Sequence, residues 1–531
     1  MTKPDLSAAE RALEVADSIL RRATRSIASS APDPNEAIDA NQVVAYDLAH
    51  TAAAVATGRA MLDYGSRGDG EAALTCCFVA DALADLAARV FGREGVWQAT
   101  SAELEAIRDF AGPYRDPRFL ASVCEQGEPP RHLPEELEMV RDTYRRFAED
   151  RIRPVADEIH RKNLDIPEEI ISGLAELGTF GLSIPESYGG FAGGSEDDYL
   201  AMCVATEELS RVSLCAGGSL ITRPEILARA LEAGGTEDQK RHWLPKLASG
   251  EVMNAVAVTE PDYGSDVANI KVSATPTEGG WLINGVKTWC TFAARADVLS
   301  LLARTDPDRT KGHRGLSLFI VPKERAPGEG FILQQSTGGR LEGRPIDTIG
   351  YRGMHSYELA FENWFVPAEN LIGGEEGLGK GFYYQMAGFE NGRLQTAARA
   401  VGVMQAAYEE AVSYASERRV FGSAVIDYQL SKAKIARMAA MIAASRQFMY
   451  DVARRMASGG GQMEASMIKA YVCKAAEWVT REAMQLHGGF GYAEEYPVSR
   501  FFVDARVLSI FEGADETLCL KVIARRLITE A

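Results

Sequence analysis

Residues 253–367 form short segments rich in Val, Ile, Phe and Trp, separated by Gly, Pro, Asn and Asp. This texture is typical of antiparallel strands in a sandwich or barrel. The flanking regions, residues 135–250 and 381–530, have a helical period instead. The second of them contains three long helical runs and a shorter one, which predicts a four-helix bundle. The expected fold is mainly α with a central β-domain.

The first 112 residues also read as helical, with Ala-rich runs that end at Gly65 and Gly92. Ser7 and Glu10 have the spacing of a capping box, and a second capping pattern begins at Thr236. Consecutive prolines predict a linker within residues 122–134. The predicted domains are an N-terminal helical extension, a helical domain, a β-domain and a bundle, at residues 1–125, 126–250, 251–372 and 373–531.

Composition excludes several function classes. The net charge of -18 argues against a nucleic-acid partner. The eight cysteines lack the spacing of a zinc site or disulfide framework, which favours a reducing compartment and no metal. The chain shows no apolar run of about 18 residues, so no membrane span is expected. Its first residues resemble neither a secretory signal nor a transit peptide, and we expect a cytoplasmic protein.

Two loops of the strand-rich region could hold a planar or phosphorylated group. A strand runs into Thr259, and the following turn, with Ser265, offers N–H groups and hydroxyls. Trp289 and Thr291 would share one face of a strand, which suits a planar ring and one hydrogen bond. Taken singly, an ordinary strand end and a core Trp beside a surface Thr are the commoner explanations.

Two features of the helical C-terminal region could approach a phosphate. Arg418 lies at a predicted helix end, where a guanidinium can pair with pyrophosphate or simply remain solvated. Gly488, Gly489 and Gly491 allow close approach of a bulky ligand, although a glycine cluster can also merely end a helix.

Glu512 is the candidate base. It follows an apolar run and precedes Gly513, which leaves room for a ligand. A carboxylate against apolar surroundings is a better base near neutral pH. Taken singly, an acid before a helix start is usually a capping or dipole residue.

Taken in chain order, these candidate motifs resemble those of the acyl-CoA dehydrogenase family, and the resemblance covers residues 135–531. The more specific match is Gln485, Gly488, Gly489, Gly491, Tyr492, Glu495, Arg500 and Asp504. The earlier family signature matches at residues 257–260 and 264–266. The chain departs from the family pattern at Tyr263, Asn269, Val420 and Ala514.

The resemblance implies FAD, bound by a helical domain, a β-barrel or sandwich and a four-helix bundle. Val258 and Thr259 would contact the flavin pyrimidine side, Trp289 would pack on the ring, and Thr291 would bond near N5. The residues implied for the adenosine diphosphate at a subunit interface are Arg418, Phe421, Gln429, Gln485, Gly488 and Gly489. Those implied for the CoA thioester channel are Ser265, Glu390 and Arg393.

The resemblance also implies the reaction. Glu512 would remove the α-proton of an acyl-CoA while flavin N5 accepts the β-hydride. Some family members carry the base at the position of Gly392, and glycine cannot serve. Electron-transferring flavoprotein is the implied acceptor, and a homodimer or homotetramer the implied assembly.

The N-terminal extension and three segments, FEGADETL, WCTFAARAD and FENWFVP, resemble the family members that convert (2S)-methylsuccinyl-CoA to mesaconyl-CoA in the ethylmalonyl-CoA route. Such a diacid thioester requires a cationic partner for its free carboxylate. Arg223 is the candidate, and the alternative for Arg223 is a helix-start residue that faces solvent.

Other functions remain open at this point. The chain could act on another short branched or straight-chain acyl-CoA, or be an acyl-CoA oxidase, which uses the same base and flavin. It could also be a redox-silent binding scaffold, although Glu512, Trp289 and Thr291 argue against that.

Overall fold

The structure is a computed structural model that describes residues 2–531, and helices predominate outside one large sheet. The α-helices are α1 Leu6–Ala28, α2 Pro34–Ala40, α3 Gln42–Gly65, α4 Asp69–Val90, α5 Glu94–Trp97, α6 Ser101–Arg115, α7 Pro117–Cys124, α8 Glu135–Phe147, α9 Arg153–Lys162, α10 Glu168–Glu176, α11 Glu196–Val212, α12 Thr222–Gly234, α13 Glu237–Ala248, α14 Gly381–Glu417, α15 Gln429–Ala457, α16 Gln462–Leu486, α17 Pro497–Leu508, α18 Asp515–Thr517 and α19 Arg525–Thr529. Three π-helical turns adjoin them, at Ala148–Ile152, Leu214–Gly218 and Leu518–Ala524.

The large sheet contains eight strands, β1 Asn254–Ala257, β2 Ser273–Thr277, β3 Gly280–Lys287, β4 Val298–Arg304, β5 Leu316–Pro322, β6 Phe331–Gln334, β7 Arg340–Ile346 and β8 Ser356–Pro367. Their order is β1-β4-β2-β3-β8-β7-β6, with β5 paired to β4. The expectation of purely antiparallel strands is wrong for β4, which pairs in parallel with β1 and β2. A small hairpin, β9 Arg419–Val420 and β10 Ser423–Ala424, follows α14.

The chain divides into two compact units. The bundle unit contains the residues up to Met139 together with Thr396–Ala531, and the sheet unit is Val140–Gln395. The four-segment division of the chain stays a prediction, and the structure groups its first segment with most of its last.

In the bundle unit, the extension packs on the bundle helices. Helix α3 contacts α15 and α16, and α7 contacts α15. Leu48 of α3 and Phe448 of α15 are fully buried side chains of this interior. Charged contacts join the same layers, since Arg437 Nε donates to Asp81 Oδ2 at 2.8 Å. The extension therefore shares a hydrophobic core with the bundle.

In the sheet unit, Asn254 connects a helix with two strands. Its Nδ2 donates to the carbonyl of Arg223 on α12 at 3.3 Å. Its Oδ1 accepts from the N–H of Ser300 on β4 at 3.0 Å. Asn254 is fully buried, so these bonds replace those that water would have made. They set α12 against β1 and β4 where β1 begins.

The fold class predicted from the sequence is confirmed, with local corrections. Thr236 caps α13 in a capping box as expected. Ser7 does not cap α1, because the helix already begins at Leu6 and Asp5 accepts from the N–H of Ala8. The shorter helical run expected at the end of the last region spans residues 515–529 and is interrupted by a π-helical turn at Leu518–Ala524. Among the described residues, no helix has the length and apolar character needed to cross a bilayer.

Replacing Leu48 by Ala should destabilise the bundle unit by about 2–5 kcal/mol, because it leaves a cavity in the core shared by extension and bundle. Urea unfolding of the full chain would measure the change. Val43→Ala is the matched control, since Val43 lies on the same helix and is 70% exposed. This substitution should change the free energy of unfolding by no more than about 0.5 kcal/mol. Equal unfolding curves for both variants would contradict a shared core.

Candidate functional site

Two loops of the sheet unit are tied together where β1 and β3 end. The Lys287 ammonium, fully buried at the end of β3, donates to the carbonyl of Val258 at 2.8 Å. The N–H of Thr288 donates to the carbonyl of Thr259 at 2.8 Å. These bonds bring Val258 and Thr259 beside Trp289. The family resemblance implies that all three residues contact the flavin, and the structure brings them close together.

The same lysine pairs with a buried acid. Lys287 Nζ lies 2.9 Å from Glu260 Oε1, and Glu260 also accepts from the N–H groups of Lys271 and Val272. Burial lowers the pKa of Lys287 to about 8, although the Glu260 carboxylate opposes that shift. Sequence reasoning missed this pair. Its one signal was a lysine inside an otherwise strand-like segment, GWLINGVKTW.

Trp289 does not lie in a strand. Strand β3 ends at Lys287, so the argument that Trp289 and Thr291 share a strand face is wrong. Trp289 instead has φ +57° and is 55% exposed, whereas the neighbouring Cys290 is fully buried. Thr291 lies two residues further on, and its hydroxyl is 3.0 Å from that of Ser356. A left-handed turn thus presents the indole.

The residues implied for the CoA channel lie on two elements of the sheet unit. Ser265 is exposed in the loop after Pro261. Glu390 and Arg393 lie on α14, one helical turn apart. Burial raises the pKa of Glu390, and the charge of Arg393 partly offsets it.

Arg223 is buried at the start of α12, with 6% of its surface exposed. Its guanidinium donates to the carbonyl of Ser219 at 3.3 Å and to the Thr222 hydroxyl at 3.1 Å. No carboxylate within residues 2–531 forms an ion pair with it. The alternative of a solvent-facing Arg223 is therefore wrong. A buried guanidinium with only neutral partners retains the capacity to bind an anion.

In the bundle unit, Arg418, Phe421 and Gln429 are exposed along one connection. Arg418 follows α14, Phe421 lies in the β9–β10 hairpin, and Gln429 begins α15. Phe421 is fully exposed and has φ +49°, a backbone conformation that residues other than glycine rarely adopt. The hairpin therefore projects a large apolar ring.

The glycine-rich turn after α16 lies close to Arg418, whose guanidinium carbon is 5.8 Å from the centre of the Phe490 ring. Gly488 has φ +61°, and a Cβ on Gly489 would meet nothing within 4 Å. Gly491 is required for packing, because a Cβ there would lie 2.2 Å from the Met484 carbonyl. Gln485 precedes this turn and is exposed. Open space beside an exposed guanidinium suits a phosphate-bearing ligand.

Glu512 lies on a turn between α17 and α18, with φ +52°, and Gly513 follows with φ +97°. Its side chain is 8% exposed. The carboxylate accepts from the Thr396 hydroxyl and from Arg399 Nη2, both at 2.6 Å. The Arg399 guanidinium also lies 4.8 Å from the centre of the Phe511 ring.

The expectation of apolar surroundings for Glu512 is therefore wrong, because a buried cation and a hydroxyl contact its carboxylate. Sequence reasoning missed Thr396 and Arg399. Their signal was a polar pair three residues apart in the otherwise apolar run LQTAARAVGVM, which places both on one face of α14.

Comparison with known proteins identifies the family. Sequence profiles of the N-terminal, middle and C-terminal domains of acyl-CoA dehydrogenases match residues 134–251, 255–364 and 379–528. The chain belongs to the acyl-CoA dehydrogenase family and is a flavin-dependent oxidoreductase.

Among relatives, (2S)-methylsuccinyl-CoA dehydrogenase of Cereibacter sphaeroides is 46% identical over 75% of this chain and 70% of its own. Mitochondrial isovaleryl-CoA dehydrogenase of Solanum tuberosum is 35% identical over 73% of this chain and 90% of its own. Among structures, a glutaryl-CoA dehydrogenase in complex with glutaryl-CoA superimposes with TM-score 0.67 at 33% identity, covering 74% of this chain and 95% of that one.

FAD is the family cofactor, and the residues present fit it. The sheet unit offers an exposed indole beside the Val258–Thr259 backbone. The bundle unit offers an exposed guanidinium beside unobstructed glycines. A flat ring system and a pyrophosphate need these two kinds of surface.

Replacing Lys287 by Met should destabilise the protein by about 3–5 kcal/mol, because Glu260 would stay buried without its cation. It should also lower the FAD content of the purified protein, because the Val258 carbonyl loses its hydrogen bond from Lys287, which leads into the Trp289 loop. Urea unfolding and the flavin-to-protein absorbance ratio measure the two effects. Lys271→Met, at a half-exposed side chain, is the control. Equal stability and equal FAD content in both variants would refute the role of Lys287 in joining the two loops.

Proposed function

We propose that the protein oxidises the Cα–Cβ bond of an acyl-CoA, converting (2S)-methylsuccinyl-CoA to mesaconyl-CoA, with Glu512 as the base. The observation that carries the reaction is the Glu512 carboxylate, which is nearly buried and held by two donors on a left-handed turn. A base confined to one position is prepared for proton transfer.

Proton removal uses this chain's own groups. Glu512 takes the proton from the Cα–H bond, and the electrons of that bond form the new double bond as the β-hydrogen leaves. Bound FAD supplies the acceptor for the β-hydride. Thr396 and Arg399 keep the carboxylate in place before the transfer.

The backbone of Glu512 supplies a second function. Its N–H forms no hydrogen bond within the described part of the chain. It is therefore available to donate to the thioester carbonyl, which acidifies the α C–H bond as an oxyanion hole does.

Arg223 supports a diacid substrate. Its buried guanidinium lacks a carboxylate partner within residues 2–531. The free carboxylate of methylsuccinyl-CoA would supply the missing charge and two hydrogen bonds. The likeness to a (2S)-methylsuccinyl-CoA dehydrogenase points to the same substrate.

The remaining proposals concern partners and location. We propose electron-transferring flavoprotein as acceptor and a homodimer or homotetramer as assembly. Exposed Phe421, Leu430 and Tyr492 of the bundle unit offer an apolar surface to a second copy. The eight cysteines are free thiols, which suits a reducing cytoplasm.

Anaerobic titration with (2S)-methylsuccinyl-CoA should bleach the flavin band of the purified protein. Glu512→Gln should retain FAD and slow bleaching by about 10²- to 10⁴-fold, because the base is lost. Glu516→Gln, at an exposed acid four residues on, is the control and should bleach like the wild type. Bleaching of Glu512→Gln at the wild-type rate would reject this base. Oxygen uptake without an added acceptor would indicate an oxidase instead.

Replacing Arg223 by Met should lower kcat/KM for methylsuccinyl-CoA by about 100-fold or more, the scale of a buried charge pair that loses one partner. Activity with butyryl-CoA should not fall, since that substrate has no carboxylate to pair. Arg241→Met, at a side chain 76% exposed in the same unit, is the control. Equal losses on both thioesters would assign Arg223 a purely structural role.

A further inference from the structure

The turn that carries Glu512 needs support from its surroundings. Glu512 and Gly513 both have positive φ, +52° and +97°. A non-glycine residue in the left-handed region is unfavourable and persists only where neighbouring groups hold it there. Asp515 follows directly on this turn, and its N–H donates to the Ser509 carbonyl at 3.0 Å. The position of Asp515 thus helps to set the path of the turn.

The N-terminal extension, residues 2–125, holds Asp515 from one side. Tyr46 and His50 lie one helical turn apart on α3. The Tyr46 hydroxyl donates to Asp515 Oδ2 at 2.5 Å, and His50 Nε2 lies 3.1 Å from the same oxygen. The two rings contact edge to face, with centres 4.7 Å apart. Both side chains therefore converge on one carboxylate oxygen.

The bundle holds the turn from α16. Lys469 Nζ donates to the Gly513 carbonyl at 2.5 Å, and Lys474 Nζ lies 3.6 Å from Asp515 Oδ2. Burial would raise the pKa of Asp515, but the bonds from His50 and Tyr46 and the charge of Lys474 outweigh it and hold the pKa at about 2. Asp515 is thus a charged anchor.

A metal site is the other use of such a cluster, because His50, Asp515 and Cys519 offer ligand atoms within 4.8 Å of one another. Two observations argue against it. Lys474 already places a positive charge beside Asp515, and burial raises the pKa of the Cys519 thiol, which would have to ionise to bind a cation. The cluster is better suited to holding the turn.

We propose that Tyr46 and His50 are positioning residues, which through Asp515 hold the turn that presents Glu512 to the substrate. This inference rests on the proposed role of Glu512 as base. The N-terminal extension is then part of the reaction machinery, although it supplies no group that touches the substrate.

The test uses the full-length holoenzyme with Tyr46→Phe and His50→Gln. Each should lower kcat by about 10- to 100-fold, the scale of a displacement near 1 Å, with KM and FAD content close to wild type. The kinetic isotope effect on α-deuterated methylsuccinyl-CoA should rise, because proton removal becomes slower.

Matched controls come from the same bundle unit. Tyr64→Phe removes another buried hydroxyl of α3, whose acceptor is the Pro130 carbonyl. His132→Gln removes a histidine that pairs with Glu71 rather than Asp515. Both should retain the wild-type kcat and isotope effect.

Wild-type kinetics in Tyr46→Phe and His50→Gln would overturn the inference. Activity lost only in proportion to FAD content, with an unchanged isotope effect, would also overturn it, because that result indicates a purely structural role. If one variant does not retain FAD, the other decides. Failure of the wild type to be reduced by methylsuccinyl-CoA or butyryl-CoA would instead reject the proposed function.

Discussion

A charged side chain that leaves water must find a counter-charge or several hydrogen bonds, and the candidate site depends on this requirement. Glu512 is paired with Arg399, and Glu260 with Lys287. Asp515 is paired with Lys474 and also accepts from the Tyr46 hydroxyl. Each pair lies where the chain changes direction beside a candidate site residue. Removal of one partner would therefore disturb both the local backbone and the group that the backbone presents.

Arg223 differs from these pairs, since its described partners are a carbonyl and a hydroxyl. Neutral partners compensate a buried guanidinium less fully than a carboxylate does. The protein thus keeps a buried cation, and an anionic substrate would supply its counter-charge. The same physical rule that stabilises the three pairs makes Arg223 a candidate for specificity.

Backbone strain marks several of the same places. Trp289, Phe421 and Glu512 all have positive φ, a conformation that is rare outside glycine. In each case the turn directs a large or charged side chain away from the regular element before it. None of these conformations follows from local preference, and the bonds from Lys287 and Lys469 show what holds two of the turns.

The chain order of helices and strands and the family motifs were readable from residue pattern, because periodicity and turn residues are local properties. The predicted cap at Thr236 is confirmed for that reason. The predicted cap at Ser7 is wrong, because Asp5 is the N-cap of the helix that begins at Leu6. Which distant groups meet was not readable, since Arg399 and Tyr46 are separated from Glu512 and Asp515 by long stretches of chain. Tertiary packing decides such contacts. A buried charge is stable only beside charged or hydrogen-bonding groups, and only the complete fold brings those groups within hydrogen-bond distance.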